Sequence, residues 1–454
     1  MAIKSPAAAP RKAAKKSVKK AAKKAARPAA AAKSADWTIL VYMAGDNDLD
    51  DFGGDDIQEM KRVGSSDKLH IIVQRDTAAA GVMTQRLRLC QGTAVEADVV
   101  EEIGETNTGD PAVLEEFLDW GLKEYPAKRT MAVLWNHGSG WDDTDIYAEA
   151  RRRGLRPPEA RPAHGMGVRR SGTRGRLNLP GGFIHRSVAR RRFRGPFFLT
   201  AFQVETVAGK RRAIAFDDNA QDFLDSVEMK NVFHAVTKGG KRKFDVIGMD
   251  ACLMSMVETA IQVQGAGRYF CGSQEVEPGE GWPYDRVLEK LAATTMMDGL
   301  ELTKIIVEEF VDSYPAHKSV TQSAFELSKL ATVQKAANAL GSALAKAYTT
   351  PDFARQGVIS DARRRAQGYE HPDYVDLVDF CDCLDVNLPE SKKLTSNVRD
   401  AVGACVYASS AIHPDVARSH GLSIYLPNGS LSPLYAKLDF AGGGWGEFLK
   451  ARNE

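Results

Sequence analysis

Four short, almost wholly apolar runs constrain this chain more than any other feature: Thr38–Ala44, Leu69–Gln74, Thr130–Trp135 and Val246–Met249. Each is too short for a buried helix, is rich in β-branched or aromatic residues, and ends in a polar or glycine-rich break. Strands without polar alternation are covered on both faces. Between them lie helix-period segments, Asp55–Arg62 and Pro111–Glu124, the latter with Pro111 in its first turn and Asp110 or Thr108 as cap. Thr84–Leu89, Arg268–Gly272 and Gly421–Leu426 read as further strands. Tyr284–Tyr314 and Leu327–Tyr348 read as helical, and Tyr374–Cys383 as loop and helix. Alternation of this kind predicts an α/β fold, a mostly parallel central sheet with helices on both faces.

In open α/β sheets ligands bind beyond the carboxyl ends of the strands. Two reactive side chains fall there. After Val246–Met249 and Asp250 comes Cys252, followed by a helix-period run with Leu253, Met256, Val257 and Ala260 on one face. This predicts a thiol at a helix N-terminus, where unpaired N–H groups and the helix dipole favour the thiolate. The competing reading is a buried structural cysteine. After Thr130–Trp135 comes Asn136-His137-Gly138-Ser139-Gly140-Trp141, whose histidine either closes a turn or faces the same crevice. A thiolate nucleophile needs an acid to protonate the leaving amine, a role suited to histidine near neutral pH. The N–H groups of Gly138 and Cys252 are candidates for an oxyanion site, and Gly138 lets a substrate backbone approach closely.

Charge divides the chain. The formal charge of +2 combines +11 in the first 34 residues, which hold no acid, with −9 in the rest. Residues 1–34 lack large apolar side chains and read as a disordered Lys/Ala-rich arm, either a solubilising tail or a nonspecific contact for nucleic acid. Residues 147–212 form an Arg-rich insertion with clusters at Arg151–Arg153, Arg169–Arg170 and Arg190–Arg192, and 155–184 yield no secondary structure. The remainder divides into 35–146 with the histidine, 213–296 with the cysteine, and a mainly helical part at 297–454 with a late strand. Order resumes at Ala213–Asp218, ahead of a helix through Phe223, Val227 and Val232. The six cysteines show no disulfide framework, and Cys381-x-Cys383 has no second pair for zinc. Asp46, Asp48 and Asp50 mimic a calcium loop, but Ile57 stands where an EF-hand places its last glutamate, so the loop reads as solvated and no metal ligand is assigned. No run approaches the roughly 18 to 20 apolar residues of a membrane span, and no signal-peptide h-region is present. A cytoplasmic protein without membrane contact is expected.

Five strings taken together resemble the clostripain family of caspase-like cysteine peptidases: Ile39–Leu49, Asn136–Trp141, Met249–Glu258, Ser273–Trp282 and Gly421–Pro427. The resemblance spans roughly residues 36–445 outside the insertion. It implies a caspase-like α/β/α sandwich, a dyad of His137 and Cys252, an acyl-enzyme thioester, and an oxyanion site at Gly138 and Cys252. It also implies cleavage of proteins or peptides after Arg or Lys, with Asp250 and Glu280 facing the basic P1 side chain. Carboxylates beside the nucleophile suit a guanidinium independently, although Asp250 also reads as a helix N-cap. Family members often cut themselves between the His and the Cys, which here points to 147–212. Some relatives need Ca2+ and others do not; no cofactor is required by the sequence. The alternative is a nucleic-acid-associated protein built on an inactive caspase-like scaffold. A thiol redox enzyme is disfavoured, since no C-x-x-C accompanies Cys252.

Overall fold

Trp37, Ile39, Val41 and Met43 alternate along strand β1 (Ala35–Gly45) with Thr38, Leu40, Tyr42 and Ala44, and every residue of the strand is buried. Successive side chains of a strand point to opposite faces, so a strand with no exposed residue needs cover on both sides. The structure is a computed structural model that describes residues 34–79, 81–141, 214–220, 222–350 and 352–454. On one face the odd-numbered set joins Ile57 and Met60 of helix Asp50–Val63, Leu288 of Tyr284–Ala293, and Ile306 of Gly299–Asp312. On the other, Leu40 and Tyr42 join Phe117 of Pro111–Glu124, Phe233 of Ser226–Val236, Ala260 of Val257–Val263 and Leu340 of Leu330–Thr349. Gly121 marks the close approach of helix to sheet: a Cβ there would lie 2.6 Å from a methyl of Leu40.

The remaining strands are β2 (Leu69–Thr77), β3 (Thr84–Arg88), β4 (Val99–Gly104), β5 (Ala127–Trp135), β6 (Ile214–Asp217), β7 (Asp222–Leu224), β8 (Phe244–Asp250), β9 (Gly267–Gly272), β10 (Val320–Glu326), β11 (Tyr374–Asp376), β12 (Val406–Ile412) and β13 (Ser423–Tyr425). Nine of them form one sheet in the order β12-β10-β9-β8-β5-β1-β2-β3-β4. The five from β9 to β2 run parallel, and antiparallel strands extend both edges. The fold is therefore an α/β/α sandwich with a mostly parallel centre. Strands β6 and β7 pair apart from it, as do β11 and β13.

The structure departs from the sequence expectation in four places. The region 297–454 supplies two strands of the main sheet. β10 is buried yet reads Val-Thr-Gln-Ser-Ala-Phe-Glu, its polar side chains held by Ser273 on Thr321 and Ser255 on Ser323, so apolar periodicity cannot reveal it. β12 is a half-buried edge strand. Phe223 belongs to β7, and the helix beyond it begins at Ser226 behind a capping box of Asp225 and Glu228. The helix after Cys252 begins only at Val257. The expectations for the basic arm, the Arg-rich insertion and 155–184 lie outside the described residues.

Helix Val257–Val263 is wholly buried and carries Glu258 into the core. One carboxylate oxygen accepts the Tyr425 N–H at 3.1 Å and the Tyr435 hydroxyl at 3.5 Å, and burial pushes the carboxyl up to about 8. Unfolded, the same group titrates near ~4.3. Between these values the folded state holds a proton that the unfolded state has released, so stability present at low pH is lost as pH rises through about 8. Glu258→Gln is expected to match wild type at pH 4 and to exceed it at pH 8 by a few kcal/mol, roughly. Denaturant midpoints at the two pH values check this; a difference independent of pH would refute it.

Candidate active site

Parallel pairing of β5 with β8 sets Trp135 opposite Asp250, so the residues two steps further on, His137 and Cys252, leave the sheet at adjacent strand ends. Asn136 fastens this edge: its N–H donates to the Asp250 carbonyl at 3.4 Å, and its amide donates to the Ala44 carbonyl in β1. The backbone at Gly138 lies against the Cys252 segment. A Cβ there would stand 2.4 Å from the Cys252 carbonyl oxygen and 2.9 Å from its nitrogen, so only glycine fits.

Cys252 is fully buried, and its sulfur accepts the Glu277 N–H at 3.1 Å. The next residue, Leu253, has a left-handed backbone with φ of 63°, a conformation a branched side chain adopts only at some cost. Residues 253 and 255 then donate to the carbonyls of Glu275 (3.2 Å) and Ser273 (2.8 Å). This pairing consumes the chain up to Met256, which caps the following helix, and so corrects the expected helix-terminal thiol. The N–H presented to the sulfur comes from the 273–282 loop. It also removes the capping role for Asp250, which ends β8 and accepts the Tyr284 hydroxyl at 2.8 Å.

His137 is likewise buried, and its Nε2 lies 2.6 Å from Asp48 Oδ1. With Asp48 ionised, Nε2 carries the hydrogen and Nδ1 is left as the acceptor nitrogen; the carboxylate orients the ring. By sequence the loop holding Asp48 reads as solvated. In the structure that loop is engaged throughout: Asp50 meets Arg75 at 2.9 Å and Thr77 at 2.8 Å, while Asp46 is buried facing Asp76 and Asp217. Three aspartates beyond a strand end were the signal, but spacing alone cannot say which reaches a histidine.

Two buried acids act on Cys271 in β9, the strand paired with β8. Burial, then the charges of Glu277 and Asp250, push the neighbouring Cys271 thiol well up, and both carboxylates are fully buried. Glu280, the loop acid expected to face P1, is exposed. Glu277 stands in the same acidic string but was not separable from it by sequence. Among the described residues, Asp46, Asp76 and Asp217 are the set of side chains close enough to share a metal ion.

The sequence profile of the clostripain family matches residues 41–154 and 201–442. Clostripain of Hathewaya histolytica is 23% identical over 456 residues, which cover 86% of this chain and 74% of that protein. Two solved structures share the fold. A secreted C11 cysteine protease from Bacteroides thetaiotaomicron, in complex with an irreversible peptide inhibitor, superposes with a TM-score of 0.58 at 18% identity, over 90% of this chain and 99% of that one. An inactive zymogen C11 protease from Parabacteroides distasonis gives 0.60 at 18% identity, over 90% and 98%.

Replacing the carboxylate on His137 tests its role. Asp48→Asn is expected to lower kcat by roughly 10²- to 10⁴-fold with an unchanged fold by circular dichroism. Wild-type kcat in that variant would leave Asp48 without a part in catalysis.

Proposed function

The chain belongs to the clostripain family of cysteine proteases, and on that premise we propose that it hydrolyses peptide bonds after arginine or lysine with Cys252 as nucleophile and His137 as acid and base. The observation that carries this reading is the placement of both residues at adjacent strand ends, with the Cys252 sulfur on the Glu277 N–H. The Cys252 thiolate attacks the scissile carbonyl carbon, and the N–H groups of Gly138 and Cys252 receive the developing oxyanion. The tetrahedral species collapses to a thioester as protonated His137 gives its proton to the departing amine. Neutral His137 then takes a proton from water, the hydroxide displaces the thiolate, and the acid product leaves.

Asp250 and Glu277 supply the charge for a basic P1 side chain. A guanidinium binds carboxylates most strongly where water is excluded. Glu280, being exposed, is screened by solvent and contributes at the rim. Maturation by cleavage after a basic residue within 147–212 belongs to the same proposal. It is supported by the uncut chain, in which neither Cys252 nor His137 is open to a peptide. No helix among the described residues is long and apolar enough to cross a membrane. No cysteine forms a disulfide, which suits the proposed cytoplasmic residence, and fractionation against a cytosolic marker tests it.

Peptides with Arg, Lys or Asp at P1 decide the specificity. Wild type is expected to cleave the first two, Cys252→Ala none, and Asp250→Asn and Glu277→Gln arginine peptides at roughly 10²-fold lower kcat/KM. Equal hydrolysis by wild type and Cys252→Ala overturns the nucleophile assignment. On a denaturing gel, active wild type is expected to separate into two fragments while Cys252→Ala stays whole; a whole, active wild type excludes obligatory processing.

A further inference from the structure

Asp376 is fully buried, ends β11 and caps helix Leu377–Asn387, its Oδ1 accepting the Asp379 N–H at 2.8 Å. A cap needs no more than that. Yet the same oxygen meets His420 Nδ1 at 2.9 Å, and Oδ2 accepts the His420 N–H at 2.6 Å, the Gln274 amide at 3.1 Å and the Tyr369 hydroxyl at 3.3 Å. These donors come from distant parts of the chain, and one of them belongs to the 273–282 loop that reaches Cys252.

Both ends of the Gln274 side chain are used. Its Nε2 donates to Asp376, and its Oε1 accepts the Gly421 N–H at 2.8 Å, which fixes the amide in one orientation. Its backbone is fixed as well: Thr321 Oγ1 accepts the N–H groups of Gln274 and Glu275, each at 3.0 Å. Further along the loop the Glu275 carbonyl accepts the Leu253 N–H at 3.2 Å, and the Glu277 N–H meets the Cys252 sulfur at 3.1 Å. Gly421 also reaches the segment after the thiol, because its carbonyl oxygen lies 2.8 Å from the hydroxyls of Ser255 and Ser323. Only glycine suits this turn: its φ is 92°, and a Cβ would stand 2.8 Å from a methyl of Val406. Residues 420 and 421 therefore grip both backbone segments that flank the sulfur.

Among these residues His420 is the exposed one. Its hydrogen bond to Asp376, then the charges of Asp376, Asp382 and Asp379, raise its pKa against the opposing effect of burial, so the ring faces the buried carboxylate as a cation over a wider pH range than an ordinary imidazole. Arg418, on the same segment, turns to Asp379 at 3.0 Å.

We propose that His420, Asp376 and Gln274 form a positioning relay that keeps the Glu277 N–H on the Cys252 sulfur. An N–H donated to sulfur favours the thiolate over the thiol. The consequence for hydrolysis rests on the peptidase reading; the effect on the thiol does not.

The test is the titration of Cys252 in the full-length protein, read as ultraviolet thiolate absorbance, with each variant measured against its own Cys252→Ala counterpart and melting followed in parallel. Gln274→Met keeps the shape of the side chain without its amide. It is expected to raise the thiol midpoint by roughly one pH unit, a tenfold smaller thiolate fraction at pH values below the midpoint. His420→Ala is expected to move the midpoint the same way, and His420→Asn, whose amide nitrogen takes the place of Nδ1, to restore it. Should Gln274→Met fail to fold, the exposed His420 carries the test alone. A midpoint unmoved in His420→Ala, whatever happens to its melting temperature, makes these contacts structural and overturns the relay; so does His420→Asn behaving as His420→Ala. Peptide hydrolysis is expected to fall in parallel with the thiolate fraction. Shifted midpoints in a chain that cleaves no peptide would sink the peptidase reading and leave the relay standing.

Discussion

The parallel hydrogen bonding of β5 to β8 is the interaction on which the rest of this molecule depends. With Trp135 held opposite Asp250, two chain segments more than a hundred residues apart end at the same height of the sheet. What each segment does next follows from that height. Asn136 ties the edge to β1, Gly138 admits the Cys252 backbone, and the left-handed turn at Leu253 returns the chain against the 273–282 loop. A register slip of one residue would turn both strands' side chains to the wrong faces and separate the thiol from its partners.

The second theme is the amount of charge kept inside. Asp46, Asp76, Asp217, Asp250, Glu258 and Glu277 are all buried, and each departs from the rule that carboxylates stay in water. They gather at the carboxyl edge of the sheet or directly behind it, in a medium that screens charge weakly. Glu258 differs from the others: it is held by Tyr425 and Tyr435, and its place is in the packing beneath the site.

Much of this was legible in advance because it depends on local chemistry. A continuous apolar run reads as a doubly covered strand, a proline in a first turn as a helix start, and a histidine or cysteine just past a strand as a resident of the crevice. Helix Pro111–Glu124, capped by Asp110, forms as read. What failed did so for identifiable reasons. β10 conceals its burial behind hydroxyl pairs. Leu253 to Met256 carry helix periodicity, but the N–H groups of Leu253 and Ser255 find partners in the 273–282 loop instead of along a helix.

The sequence by itself determined the parallel strands at the centre of the doubly covered sheet, and the positions of His137, Gly138, Cys252 and Asp250 at or just past strand ends, because each is encoded within a few residues of such an end. Only the tertiary structure decided which acids serve which partners. Asp48 meets His137, Glu277 and not Glu280 is buried and sets its N–H on the Cys252 sulfur, and Asp46 turns to Asp76 and Asp217. Carboxylates a few residues apart look alike in sequence. Which of them is desolvated, and against what, is fixed by segments brought together from distant parts of the chain.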